Sequence, residues 1–241
     1  MTLSGKNILI TGAAVRVGRA LALAAAQAGA NLILHFGQSI EAARETRAEV
    51  EALGVKAELV QADLAQPSEV KKLFDKALGF GDLHGLVNNA AIFEDLTLME
   101  SDLAAWERHL QINLTAPFLL SQAFGKALGP EKEGRIVNIL DWRALRPGAD
   151  HFPYTVSKAG LAGLTRSLAI ALAPNIAVNG MALGAILPPS DGGNPNKVLQ
   201  HVPAKRWANL DEARKTLLFL LEGPSYITGE IIHLDGGRHL I

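Results

Sequence analysis

Seven short apolar runs, each separated from the next by a stretch of helical character, constrain this chain more than any other feature. The runs are NILI (7–10), NLILHF (31–36), AELVQA (57–62), LHGLVNNA (83–90), RIVNIL (135–140), IAVNGM (176–181) and EIIHLDGG (230–237). Several lack a polar alternate, the pattern of strands buried on both faces of a parallel sheet. Helices are expected at 16–29, 39–53, 67–78, 101–126, 154–173 and 209–222. In the first of these, alanine and leucine favour helix and Gly29 supplies a left-handed stop. In QPSEV a proline stands near a helix start. The β-α-β order predicts an α/β fold with a doubly wound sheet.

The chain has 241 residues, 49% of them hydrophobic, enough for one sizeable core. No linker or repeat divides it, so a single domain over 1–241 is expected. A net charge of −1 gives no basic footprint for nucleic acid or an anionic membrane, which leaves small molecules or further copies of the chain as partners. Cysteine is absent, which removes disulfides and thiolate chemistry. His84, His109, His151, His201, His233 and His239 show no ligand spacing, so no metal site is expected. The N-terminal residues lack a secretory pattern, and no run approaches the roughly 18 apolar residues of a membrane span, so a cytoplasmic protein is expected. The irregular stretch LGAILPPSDGGNPNKV (183–198) follows the sixth strand, and a segment at about 184–205 is either a substrate loop or a surface connection.

In TGAAVRVG (11–18), Gly12 stands at a strand exit and Gly18 in the first turn of a helix. Small residues there let a backbone approach a pyrophosphate, which the helix N-terminus favours. The second strand ends about twenty residues later, where an acidic residue would hold the ribose hydroxyls of NAD. His35, Phe36, Gly37, Gln38 and Ser39 supply none. A missing carboxylate is permissive for a 2′-phosphate, and Arg16 adds a charge-assisted donor, so NADPH/NADP+ is the expected cofactor. The alternative for Arg16 is a solvated first-turn side chain. Asp63, just past the third strand, could accept the adenine amino group or cap a helix.

YTVSK (154–158) puts Tyr154 and Lys158 one helical turn apart, on one face. A nearby ammonium stabilises a phenolate and tunes tyrosine for proton transfer. With TGAAVRVG, NNAA (88–91), Asn113 in INLTAPF, VNG (178–180) and ITGEIIHLDGG (228–237), the chain resembles the short-chain dehydrogenase/reductase superfamily over essentially its whole length. The resemblance implies a single-domain Rossmann fold, a seven-stranded parallel sheet and hydride transfer from a nicotinamide. It implies Tyr154 as catalytic acid, Lys158 on the nicotinamide ribose, and Asn113 holding a water that links the lysine to solvent. Onto the cofactor it also maps Val17, His35, Phe36, Ser39, Leu64, Asn89, Ala90, Gly184 and Ile186.

Several positions depart from the common family pattern. Ala91 replaces a glycine after Asn-Asn-Ala, and Leu183 precedes Gly184 where a proline is usual. Thirteen residues before Tyr154, where most members carry serine, stands Asp141. Arg16 and Asp141 resemble the pteridine reductases and the similar bacterial dihydromonapterin reductases, although the basic residues that often follow the second-strand aromatic are missing. In that branch Phe93 of NNAAIF would stack on a pterin ring. Arg16 would bridge cofactor phosphate and substrate edge, and Asp141 would provide or relay a proton. Trp142 and Arg143 flank Asp141 and either shape the pocket or pack a loop.

The leading expectation is therefore an NADPH-dependent reductase of dihydropterins, dihydrofolate or a related ring. The rivals are a carbonyl or imine reductase of another small molecule, and a non-catalytic NADP-binding sensor. Family resemblance and the apolar surface of GLAGLTRSLAIALA (160–173) suggest a homotetramer.

Overall fold

A computed structural model describes residues 1–129, 132–187 and 198–241. Seven parallel strands lie in the order β3-β2-β1-β4-β5-β6-β7. They are β1 (Asn7–Ile10), β2 (Asn31–Phe36), β3 (Ala57–Gln61), β4 (Leu83–Asn88), β5 (Gly134–Asp141), β6 (Ile176–Leu183) and β7 (Ile231–Leu234). The helices are α1 (Arg16–Gln27), α2 (Ile40–Ala52), α3 (Pro67–Phe80), α4 (Leu103–Leu110), α5 (Ala116–Leu128), α6 (Phe152–Ala171) and α7 (Leu210–Glu222). This is the doubly wound arrangement expected from the alternating runs. No helix among the described residues is long and apolar enough to cross a membrane.

The two-residue period of a strand sends alternate side chains to opposite faces, and both faces are dry. Ile8 and Ile10 of β1 join Leu21 and Ala25 of α1 and Leu217 and Leu221 of α7 in one core. Leu9, between them, joins Leu73 and Phe74 of α3 and Leu120 and Phe124 of α5 in the other. Strand order reverses at β1, which pairs with β2 on one side and β4 on the other. A crevice opens at such a switch point, beyond the carboxyl ends of the strands, and the site lies there.

Most element bounds shift by one or two residues from the predicted ranges, and three of the differences have a local cause. β4 stops at Asn88 rather than 90, because Asn89 and Ala90 turn aside to hydrogen-bond the β1 exit. β7 stops at Leu234, and Gly236 and Gly237 follow with left-handed φ of 63° and 84°. The helix expected at 101–126 begins only at Leu103, where the Asp102 side chain accepts the Ala105 N–H at 2.7 Å. It is then interrupted by a π-helical turn, Gln111–Thr115. Pro117 has no N–H to return to the carbonyl four residues back, and the widened turn accommodates that loss. Asn113 sits in it. Gly29 (φ 88°) and Pro67 act as expected, as helix stop and first helical residue.

Candidate active site

The loop after β1 carries a backbone that no side chain could crowd. A Cβ on Gly12 would stand 2.9 Å from Ala90 Cα, and one on Gly18 would collide with the Gly12 carbonyl oxygen. The loop is braced from three sides. The Gly12 N–H donates to His35 Nδ1 at 3.1 Å, and Thr46 Oγ1 donates to the Ala14 carbonyl at 3.0 Å. Asn89 Nδ2 donates to the Thr11 and Gly12 carbonyls at 2.9 and 3.0 Å, while Thr11 Oγ1 accepts the Asn89 and Ala90 N–H groups. The start of α1 faces a cavity of about 1320 Å³. A bare backbone, loop carbonyls already occupied by Asn89 and Thr46, and the N–H groups of a helix N-terminus fit the pyrophosphate of a dinucleotide.

Gly12, Arg16, Val17, Gly18, His35, Asp63, Leu64, Asn89 and Ala90 all line this cavity. Arg16 is exposed and has φ 53°, a left-handed conformation that costs a non-glycine residue about 1 kcal/mol. Asp63 uses Oδ1 to accept the Ala65 N–H at 2.9 Å, so it both turns the chain into α3 and borders the cavity.

His35 has a second role in the backbone, and further expected cofactor residues stand apart from the cavity. His35 is buried, with Nδ1 on Gly12 and Nε2 3.1 Å from the Ala62 carbonyl, so both ring nitrogens serve the backbone. Burial lowers its pKa to about 4, against the Ala62 hydrogen bond, and the ring is neutral with the proton on Nε2. Phe36 packs with Ala14 and Ala43 in a small core, and Ser39 is the exposed residue before α2; neither lines the cavity. Gly37 and Gln38 line it instead. Gly184 and Ile186 lie beyond β6, with Gly184 pressed against Asp235, where a Cβ would be 2.6 Å from Cα. Of the expected substrate loop at 184–205, residues 188–197 lie outside the described residues.

The reacting groups meet between β5 and α6. Tyr154 Oη donates to Asp141 Oδ2 at 3.1 Å, and Asp141 Oδ1 accepts the Arg143 N–H at 2.8 Å. Asp141 therefore caps the short turn Trp142–Ala144 with one oxygen and holds the tyrosine with the other. Lys158 Nζ donates to the Ile139 carbonyl at 2.8 Å and lies 5.7 Å from the Tyr154 ring centre. Burial raises the Asp141 carboxyl above its ordinary range, although Arg143, Lys158 and Tyr154 pull the other way. Burial also lowers Lys158 to about 8.

Here the expectation of a tyrosine acidified by its lysine is corrected. Burial, then the charge and hydrogen bond of Asp141, hold the Tyr154 proton well above its usual pKa. A serine in the Asp141 position would exert no such charge. The Asn113 side chain has partners of its own. Its amide hydrogens go to Ser157 Oγ (3.0 Å) and the Ile92 carbonyl (3.1 Å), and its oxygen accepts the Ile92 N–H at 2.9 Å. Both hydrogens are taken, so the side chain braces the segment that carries Phe93.

Phe93 is 53% exposed, which rules out a core role. Its ring stands edge-on to Tyr154 at 4.7 Å and stacks on His151 at 3.9 Å. His151, which the sequence presents only as a histidine without metal-ligand spacing, lies against this ring three residues before Tyr154. It is the N-cap residue preceding α6, with φ 49°, and its Nδ1 lies 3.0 Å from the Glu94 carbonyl. Arg143 pairs with Asp150 at 2.6 Å and lies 3.8 Å from Asp141.

The chain is similar to known proteins over nearly its whole length. A family model described as Enoyl-(Acyl carrier protein) reductase matches residues 12–239. A 3-oxoacyl-[acyl-carrier-protein] reductase of Synechocystis is 35% identical over 240 residues, covering 98% of this chain and 97% of that protein. Among solved structures, FolM Alternative dihydrofolate reductase 1 from Brucella suis, in complex with NADP, superimposes with a TM-score of 0.93 at 34% identity, over 100% of this chain and 97% of that one. A short-chain dehydrogenase from Burkholderia cenocepacia, also with NADP, gives 0.93 and 34% over 99% of both chains.

Proposed function

Because the chain belongs to the short-chain dehydrogenase/reductase superfamily and is an NADP-dependent oxidoreductase, we propose that it reduces a C=N bond of a dihydropterin-type ring. The observation that carries this reading is the contact of Tyr154 Oη with a partly buried Asp141 carboxylate in place of a serine hydroxyl. Reducing C=N takes a hydride at carbon and a proton at nitrogen. NADPH, when bound, supplies the hydride. Tyr154 holds the proton at Oη, and Asp141 orients that hydroxyl, relays a proton and accepts hydrogen bonds from ring N–H groups. A serine donates to a ketone oxygen, which an ionised Asp141 does not.

Phe93 supports the same reading. An exposed ring edge-on to the tyrosine is a platform for a flat heterocycle. Arg16 supports NADP, since its planar fork suits a 2′-phosphate and it lines the cofactor cavity. Similarity to an alternative dihydrofolate reductase of Brucella, over the full length of this chain, is in keeping with that chemistry.

A second reading, reduction of another small carbonyl or imine, is favoured by the 3-oxoacyl-[acyl-carrier-protein] reductase relatives and by Gly37 and Gln38, where the pterin branch often has basic residues. Steady-state NADPH oxidation separates the two. The proposal expects turnover with dihydrobiopterin, dihydromonapterin or dihydrofolate and little with acetoacetyl-CoA; the reverse pattern overturns it.

We also read the protein as a homotetramer. Ile170 of α6 is 82% exposed and Gly163 has open space at its Cβ, surface that a second copy would cover. Light scattering giving a monomeric mass contradicts this.

A further inference from the structure

Beside the reacting pair, one tryptophan collects two arginines from distant parts of the chain. Trp142 follows Asp141 directly. The Arg143 guanidinium lies 4.7 Å from the Trp142 ring centre, and that of Arg238, from the turn Arg238–Leu240 after β7, lies at 4.1 Å. Arg143 also stands 5.9 Å from the Phe93 ring. Phe93, Arg143, Trp142 and Arg238 thus form a ladder of alternating rings and cations that starts at the site of reduction and leads away from it.

The two cations are not equally partnered. Arg143 is held by Asp150 at 2.6 Å and by Asp141. Arg238 makes its ring contact, but its guanidinium has no hydrogen bond or ion pair among the described residues; its Nε, like that of Arg143, is buried without a partner. Burial and the charge of Arg143 both weaken its hold on its proton, partly offset by Asp141, Asp150 and Asp235. A third guanidinium, Arg146, donates to the Arg238 carbonyl at 3.3 Å. The turn is fixed, because the Asp235 carboxylate accepts the Gly237 and His239 N–H groups and pairs with the His239 ring at 2.7 Å. The fold therefore holds an under-neutralised cation over an aromatic ring, at the edge of the active site. Half-buried guanidinium of this kind binds carboxylate or phosphate oxygens strongly.

We infer that Trp142 and Arg238 form a subsite for an anionic group carried on a tail of the substrate, beyond the ring that is reduced. The inference rests on the ring-reductase reading for the position of the ring. The anion is a carboxylate or a phosphate ester; both offer the oxygens that a guanidinium fork takes.

The test compares three substrates of one ring system: a dihydropterin with a neutral side chain, one with a phosphorylated side chain, and dihydrofolate, whose aryl tail ends in carboxylates. For the intact protein, at least one anionic substrate should exceed the neutral one in kcat/KM by ten-fold or more, and the favoured one identifies the anion. Arg238→Met should collapse that ratio about ten-fold through KM rather than kcat, and Arg238→Lys should restore part of it. A ratio near one in the intact protein, or one unchanged by Arg238→Met, overturns the inference. If no pterin is turned over, the functional reading fails, and the subsite is tested without it. Calorimetry on the NADP-loaded protein with 4-aminobenzoyl-glutamate and with phenyl phosphate should show binding that Arg238→Met weakens about ten-fold. Absence of binding, or equal binding by the variant, rejects the subsite.

Discussion

Tyr154 Oη donates its hydrogen bond to Asp141 Oδ2 at 3.1 Å, which fixes both the rotor of the hydroxyl and the place of the proton before substrate arrives. The tyrosine is kept protonated by burial and by the neighbouring carboxylate. Tyr154→Phe should therefore lower kcat/KM for ring reduction by about 10²- to 10⁴-fold while leaving NADPH affinity nearly intact. Stopped-flow turnover alongside fluorescence titration of NADPH checks this. A loss of less than about ten-fold would give the proton to Asp141 alone.

Lys158 is buried, and its pKa is lowered to about 8. Its charge is present below that pH and lost above it. Reductase activity should fall as pH rises through about 8, while Lys158→Met should be slow at every pH and lack that limb. The pH profile of kcat/KM at saturating NADPH is the measurement; an identical basic limb in the variant would remove Lys158 from the account.

The fold was legible because the sheet is buried on both faces, so its strands appear as apolar runs, and because the helices between them are amphipathic. Chain contacts decided what periodicity could not. β4 ends early because Asn89 bonds to Thr11, and the 101–126 helix widens around Asn113 because Pro117 lacks an N–H. In the site, the spacing of Asp141, Tyr154 and Lys158 on β5 and α6 could be read along the chain. The role of His35 could not, since its partners Gly12 and Ala62 lie 23 and 27 residues away. The Arg238 contact with Trp142 joins β7 to β5 across the sheet, and no local pattern announces it.

His35 gives a prediction on stability. Its native pKa of about 4 lies below the unfolded value of 6.5. Between those values the unfolded chain binds a proton that the native ring refuses, so this residue makes stability fall as pH drops from 6.5 to 4. The full effect is about 3 kcal/mol. His35→Asn keeps an acceptor for Gly12 but does not titrate. Urea unfolding should show a shallower acid loss in the variant than in the parent, with a raised KM for NADPH from the lost Ala62 contact. Parallel acid limbs would contradict it.

Phe93 stacks on His151 and meets Tyr154 edge-on while half its surface stays open. An aromatic contact of this kind is worth about 0.5–1.5 kcal/mol. Phe93→Ala should raise KM for a dihydropterin up to about ten-fold with a smaller change in kcat, and Phe93→Tyr should preserve most of the affinity. Unchanged KM in Phe93→Ala would mean that the ring binds elsewhere.

Exchange of Asp141 for serine tests the central claim most directly. It removes the carboxylate beside Tyr154 and installs the donor common in the family, at a position whose backbone is held by the β5–β6 pairing Asp141↔Leu183. The ratio of kcat/KM for dihydrobiopterin to that for acetoacetyl-CoA is measured in both proteins. The account predicts that Asp141→Ser loses ring reduction by about 10²-fold or more and gains ketone reduction. An unchanged ratio, with NADPH binding intact, would contradict it.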